Sequence, residues 1–150
     1  MAKTLIIEFE KGGSFEATLL EDKAPKTCSM IWDSLPISST CIHGRAPGRP
    51  GKEIAVESNL AKKPPREYQT IYPERGDVTF WREWEGDFFQ MKYMETIGVY
   101  YGVGRSWDMR GDVPLNVFAK IKPEQLDALL PVGVRIWRKG QEKVTLKKKG

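Results

Sequence analysis

The sequence predicts a mainly β protein, a closed antiparallel β-barrel of about eight strands with two short capping helices. Three observations support this fold. Many short segments alternate apolar and polar residues, which is the period of half-buried strands. Two segments carry apolar residues at helical spacing, and a proline begins each of them. A long antiparallel sheet usually closes on itself because closure removes its exposed edges. At 150 residues the chain suits one domain, residues 1–150.

The first half of the chain alternates strands with turns and contains one helix. Gly12-Gly13 supplies a tight turn between the first two strands. The helix begins at Pro25, carries an apolar stripe from Cys28 to Leu35, and ends before Pro36. The loop at 44–52 is dense in Gly, Pro and Arg, and the stretch 58–66 is too rich in proline to continue a sheet. The predicted strands of this half are 4–10, 14–20, 37–43 and 53–57.

The second half is predicted to hold most of the remaining sheet. The longest β-like tract runs from Phe88 to Val103, and the glycines on one of its faces indicate close approach of another group. A second short helix begins at Pro123 and ends at Pro131. A polar, turn-rich segment occupies 104–114. The other predicted strands of this half are 77–83, 115–121, 132–137 and 142–147.

Composition limits the classes of function. The net charge is +4 and the isoelectric point is 9.0, and Lys147, Lys148 and Lys149 supply much of this charge. These three lysines are predicted to form a solvated tail, so no nucleic-acid partner is expected. Cys28 and Cys41 are predicted to be buried and reduced. Neither a leader nor a long apolar segment is recognised, so we expect a soluble cytoplasmic protein without a membrane partner.

Three short motifs resemble cyclophilins. The run DKAPKT at 22–27 joins a strand to a helix, CIHGRAPG at 41–48 follows, and GDV at 76–78 opens a middle strand. Cyclophilins carry similar runs in the same order. Over most of its length the chain more closely resembles a family of uncharacterised bacterial and archaeal cyclophilin-like domains. The resemblance implies a cyclophilin-like closed barrel.

The same resemblance raises the question of prolyl isomerase activity. Cyclophilins have an arginine directly after the strand that ends in Phe-His, with a downstream glutamine, a phenylalanine and a second histidine. Here Gly44 follows His43, and Arg45 comes one place later. The segment at 44–52 has no glutamine, the phenylalanine expected shortly after the arginine is missing, and the chain has no second histidine. A divergent peptidyl-prolyl isomerase is therefore the second hypothesis, and a non-catalytic assembly domain that forms a homo-oligomer is the third.

The leading hypothesis is that a groove at the barrel rim binds a small anionic or amide-bearing metabolite. Arginines bind carboxylates and phosphates, and aromatic residues with a few polar groups are typical of small-ligand pockets. The groove is predicted between the loop at 44–52 and the loop at 105–112. With one histidine and no cysteine pair at metal spacing, neither a metal nor a cofactor is expected. The candidate ligand-binding residues are His43, Arg45, Glu95, Tyr100, Trp107 and Arg110.

Overall fold

The computed structural model describes residues 2–46, 49–86 and 95–150, with the backbone alone at 45–46 and 49–51. The helices are Pro25–Ser34 (α1) and Leu126–Lys139 (α2), and a 3-10 turn at Pro123–Gln125 leads into α2. The strands are Thr4–Phe9 (β1), Ser14–Leu19 (β2), Ile37–Ala46 (β3), Arg49–Glu57 (β4), Gln69–Thr70 (β5), Asp77–Arg82 (β6), Glu95–Tyr100 (β7), Trp107–Asp108 (β8), Gly111–Asp112 (β9), Leu115–Ile121 (β10) and Glu142–Lys148 (β11).

Eight of the strands form a closed antiparallel barrel. Their order is β2-β1-β11-β3-β4-β7-β6-β10, and a further pairing between β10 and β2 closes the ring. The short strand β5 adds to β10, and β8 pairs with β9 in a separate hairpin. The predicted fold class, a closed barrel of about eight strands with two helices, is confirmed.

The core fills the barrel because alternate residues of each strand point inward. On β4 and β7, for example, Ile54, Val56, Ile97 and Val99 are fully buried. Helix α1 packs against β10, and helix α2 packs against β3 and β4. The ring of Tyr101 lies so close to Gly133 of α2 that a Cβ at this glycine would overlap it.

The second helix corrects the sequence prediction. A helix was expected to end at Pro131 and a strand to occupy 132–137, but α2 continues through Pro131 to Lys139. Leu129, Val132 and Ile136 lie at i, i+3 and i+7, and their burial against the barrel stabilises the helix. Proline has no backbone N–H, so the carbonyl one turn before Pro131 lacks its helical hydrogen-bond donor. Because Pro131 is on the exposed side of the helix, water can donate to that carbonyl instead.

Other boundaries also differ from the prediction. The backbone of β3 and β4 extends into the predicted loop at 44–52, and the polar segment at 104–114 contains the hairpin β8–β9. The first part of the predicted strand 88–103 lies outside the described residues. The lysines at the end of the sequence belong partly to β11, where Lys147 Nζ forms an ion pair of 2.8 Å with Glu8 Oε1. None of the helices described has the length and apolar character needed to span a membrane.

Candidate functional site

A row of polar side chains crosses the outside of the barrel on four neighbouring strands. Glu53 of β4 is opposite Tyr100 of β7, and Tyr100 is beside Asp77 of β6, whose partner on β10 is Lys120. The neighbouring residues on these strands, for example Ile54 of β4 and its partner Val99 of β7, point into the core. Because side chains alternate along a strand, the polar row faces outward.

Two glycines make room for the carboxylate of Glu53. The Tyr100 hydroxyl donates a hydrogen bond of 2.8 Å to Glu53 Oε2. A Cβ at Gly98 would lie 2.7 Å from that oxygen and 2.5 Å from Thr79 Oγ1, and a Cβ at Gly44 would overlap Glu53 Oε1. The side chain of Glu53 therefore lies flat on the sheet, in space that any other residue at these two positions would occupy.

Burial sets the electrostatics of this pair. Desolvation raises the pKa of Glu53, and the hydrogen bond from Tyr100 lowers it only in part. The pKa of Tyr100 is raised well above its usual value, first by burial and then by the negative charges of Glu53 and Asp77. At neutral pH the phenol is therefore a neutral donor beside a carboxylate more basic than an ordinary glutamate. Asp77 itself accepts a hydrogen bond of 2.9 Å from Lys120 Nζ.

His43 lies at one end of the barrel on the inward side of β3. Its Nε2 is 2.5 Å from the Tyr101 hydroxyl, and the centre of its ring is 6.3 Å from that of Trp137 on α2. The histidine is 8% exposed. It thus belongs to the contact between the barrel and α2, whereas Glu53 faces the other side of the sheet.

Glu95 is buried and fixes a loop to the barrel. Its Oε2 accepts hydrogen bonds from Ser58 Oγ at 3.0 Å and from the backbone N–H of Leu60 at 3.1 Å. Lys63 forms an ion pair with its other oxygen. These contacts account for a carboxylate that is 4% exposed.

Arg110 holds the hairpin β8–β9 against the barrel. Its guanidinium binds both carboxylate oxygens of Glu83, at 3.0 and 2.9 Å, and binds Asp108 at 3.1 Å. These bonds, to Glu83 first, raise the pKa of Arg110, so it stays charged. Trp107 is on the same hairpin and is 38% exposed. A cavity of about 230 Å³ beside the hairpin is lined by Arg66, Trp81, Glu85, Asp108, Arg110, Asp112, Val113 and Pro114.

The predicted site residues whose side chains the structure describes do not lie in one groove. Tyr100 lies beside Asp77 at the start of β6. Arg110 binds Glu83, which follows the last residue of β6 and is six residues from Asp77, or about 20 Å of extended chain. The backbone of Arg45 pairs with Pro50 next to Gly44, and its side chain lies outside the described residues. Ligand binding by each predicted residue stays a prediction.

Glu53 is the residue that sequence reasoning missed. It begins a short alternating strand and looks like an ordinary solvent-facing glutamate. The usable signal was the thin face of the strand around Gly98 and Tyr100, where the sequence indicates close approach of another group. In the structure that group is the carboxylate of Glu53. The chain segments described contain no cluster of His, Cys, Asp and Glu suited to a metal ion.

The closed barrel and its two helices fit a cyclophilin-like fold of uncharacterised domains. The chain belongs to the family described as "Protein of unknown function (DUF3830)", which matches residues 7–148. The resemblance to a family of uncharacterised domains is thereby confirmed. A search of curated proteins returns no match.

Two solved structures share the fold. One is titled "Structure of McbB in complex with tryptophan", with a TM-score of 0.72 and 20% identity over 97% of this chain. This chain spans 45% of the McbB chain. The other is the solution structure of the hypothetical protein AF2241 from Archaeoglobus fulgidus, with a TM-score of 0.59 and 22% identity over 99% of this chain and 95% of that one. At these identities the likeness shows the fold alone.

Proposed function

We propose that this chain binds a small amide-bearing molecule on the outer face of its barrel, against Glu53 and Tyr100. The observation that carries the proposal is the setting of the Glu53 carboxylate. It is half-buried between two glycines, and among the described residues the Tyr100 hydroxyl is its one hydrogen-bond donor. A partly desolvated carboxylate with so few partners gains free energy when a ligand supplies another donor.

The pair is complementary to a cyclic amide. A lactam presents its N–H and its C=O on the same edge, one a donor and the other an acceptor. Glu53 can accept from the N–H, while the Tyr100 hydroxyl rotates away from Glu53 and donates to the C=O. The exchange replaces one hydrogen bond by two, and one of these is to a charged group, which makes it stronger than a neutral bond.

Charge favours an amide over an anion at this site. Tyr100 lies between Glu53 and Asp77, and although Lys120 balances Asp77, Glu53 keeps its negative charge close to any ligand. An anionic ligand would approach that carboxylate against a repulsion that low exposure strengthens. The structure of McbB with tryptophan supports a small-molecule function, since it is a protein of similar fold with a small molecule bound.

Calorimetric titration with dihydroquinolinone, a lactam fused to an aromatic ring, tests the proposal. N-methylated dihydroquinolinone is the matched control because it keeps the shape and loses the N–H. We expect the lactam to bind and the methylated compound to bind roughly 10 to 100 times more weakly, which is the effect of about 1.5–3 kcal/mol for a hydrogen bond to a charged group. Equal affinities would contradict the assignment of Glu53 as the acceptor.

Variants locate the binding site. Glu53→Gln keeps the size of the side chain and removes its charge, and we expect it to weaken lactam binding. Glu57→Gln on the same strand is the control, because Glu57 is exposed and lies four positions away. If both variants bind like the wild type, the ligand site is elsewhere. Tryptophan serves as a further probe in the same titrations.

A further inference from the structure

We propose that Glu53 and Tyr100 also transfer protons, so that the domain catalyses keto–enol tautomerisation of a small, neutral carbonyl compound. This inference rests on the proposed function, because it uses the same site. Enolisation needs a base at the carbon beside a carbonyl and a hydrogen-bond donor at the carbonyl oxygen. These two groups meet here within 2.8 Å on adjacent strands.

The geometry fixes which group does what. A carboxylate accepts hydrogen bonds and protons, and a phenol donates its own, so Glu53 is the base and Tyr100 is the donor. Both residues belong to paired strands instead of a loop, and Gly98 and Gly44 leave open the space that the carboxylate occupies. Tyr100 is 6% exposed, so its hydrogen bond acts where water competes little.

The step is balanced without a co-reactant. A Glu53 oxygen takes a proton from the carbon beside the carbonyl, and the electron pair of that C–H bond becomes the C=C bond. The former C=O π pair stays on oxygen, which takes the proton of the Tyr100 hydroxyl. As the Tyr100 proton leaves, the proton on Glu53 passes to the Tyr100 oxygen across their 2.8 Å hydrogen bond. Both side chains return to their starting states, and the substrate proton has moved from carbon to oxygen.

The burial of Tyr100 favours concerted transfer of the last two protons. Burial first, and then the nearby negative charges, raise the pKa of the phenol; because Asp77 keeps its charge after Glu53 has taken up the substrate proton, a free phenolate stays disfavoured. A proton arriving from Glu53 as the Tyr100 proton leaves avoids that state. The raised pKa of Glu53 has the complementary effect, since it makes the carboxylate a better base near neutral pH.

Hydrogen–deuterium exchange at β-tetralone tests the inference. This neutral ketone has the shape of dihydroquinolinone, with an acidic CH₂ group in place of the lactam N–H. Proton NMR in D₂O measures loss of the signal of that CH₂ group. We expect the wild-type protein to accelerate exchange above the buffer rate, and we expect Glu57→Gln to do the same.

Variants of the pair give the decisive comparison. Glu53→Gln is expected to lower the protein-catalysed rate by roughly 10²- to 10⁴-fold, and Tyr100→Phe by roughly 10²- to 10³-fold. The wild-type rate should also rise with pH and level off once Glu53 is ionised. Circular dichroism and thermal melting verify that each variant is folded.

The outcomes separate the two proposals. If the lactam binds but β-tetralone exchanges at the buffer rate, tautomerisation is overturned and the binding function stands. If exchange is accelerated equally by wild type and Glu53→Gln, catalysis does not involve this pair and the inference is wrong. If neither lactam binding nor exchange is found, both proposals fail.

Discussion

Replacing Gly98 by alanine tests whether the site is built as described. The added Cβ would lie 2.5 Å from Thr79 Oγ1 and 2.7 Å from Glu53 Oε2, where carbon–oxygen contacts are normally well beyond 3 Å. The neighbours must therefore move by roughly half an ångström or more, and such overpacking costs about 1–3 kcal/mol. Gly98 has no positive φ, so backbone strain adds nothing.

Thermal melting measures that cost directly. For a chain of this size each 1 kcal/mol shifts Tm by about 2–4 °C, so Gly98→Ala should melt roughly 2–12 °C below wild type. Gly104→Ala is the control, because no atom lies within 4 Å of its added Cβ. A Gly98→Ala protein that melts with the wild type and still binds dihydroquinolinone would refute the reasoning.

Three further predictions concern stability and reactivity. Gly133→Ala should lower Tm, because its Cβ overlaps the Tyr101 ring, and a melting curve equal to wild type would contradict the contact. Glu53→Gln should melt above wild type at neutral pH. Folding raises the pKa of Glu53, so above that pKa the charged carboxylate lowers the stability of the wild type. The difference in Tm between variant and wild type should therefore shrink as the pH falls through the pKa of Glu53. The thiols should not react with a disulfide reagent unless the chain unfolds, since burial raises the pKa of Cys28 to about 12 and of Cys41 to about 11; fast labelling of the folded protein would contradict this.

The sequence predicted the barrel well because strand periodicity is local. Alternation in β1 and β2 and the apolar stripe of α1 depend on residues a few positions apart. The second helix was misjudged because Pro131 is a local stop signal, and the burial of Val132 and Ile136 that overrides it involves distant strands. Such tertiary effects are not visible in a short window of sequence.

The candidate site was harder to predict for the same reason. Tyr100 was chosen from its surroundings in sequence, but Glu53 is 47 positions away and meets it only through the pairing of β4 with β7. Arg110, which sequence reasoning grouped with Tyr100, binds Glu83, whereas Tyr100 lies beside Asp77, six residues earlier in the chain. The register in which strands pair decides which side chains lie next to one another on a face of the sheet, and composition does not encode that register.

A carbon-detected NMR titration of the Glu53 carboxyl group is the most direct test of the site. Burial between the two glycines should raise its pKa above the ordinary glutamate range, and Tyr100→Phe should raise it further, because the lost hydrogen bond favours the charged form. A carboxyl group that titrates in the ordinary range, with no response to Tyr100→Phe, would show that the pair does not exist as described.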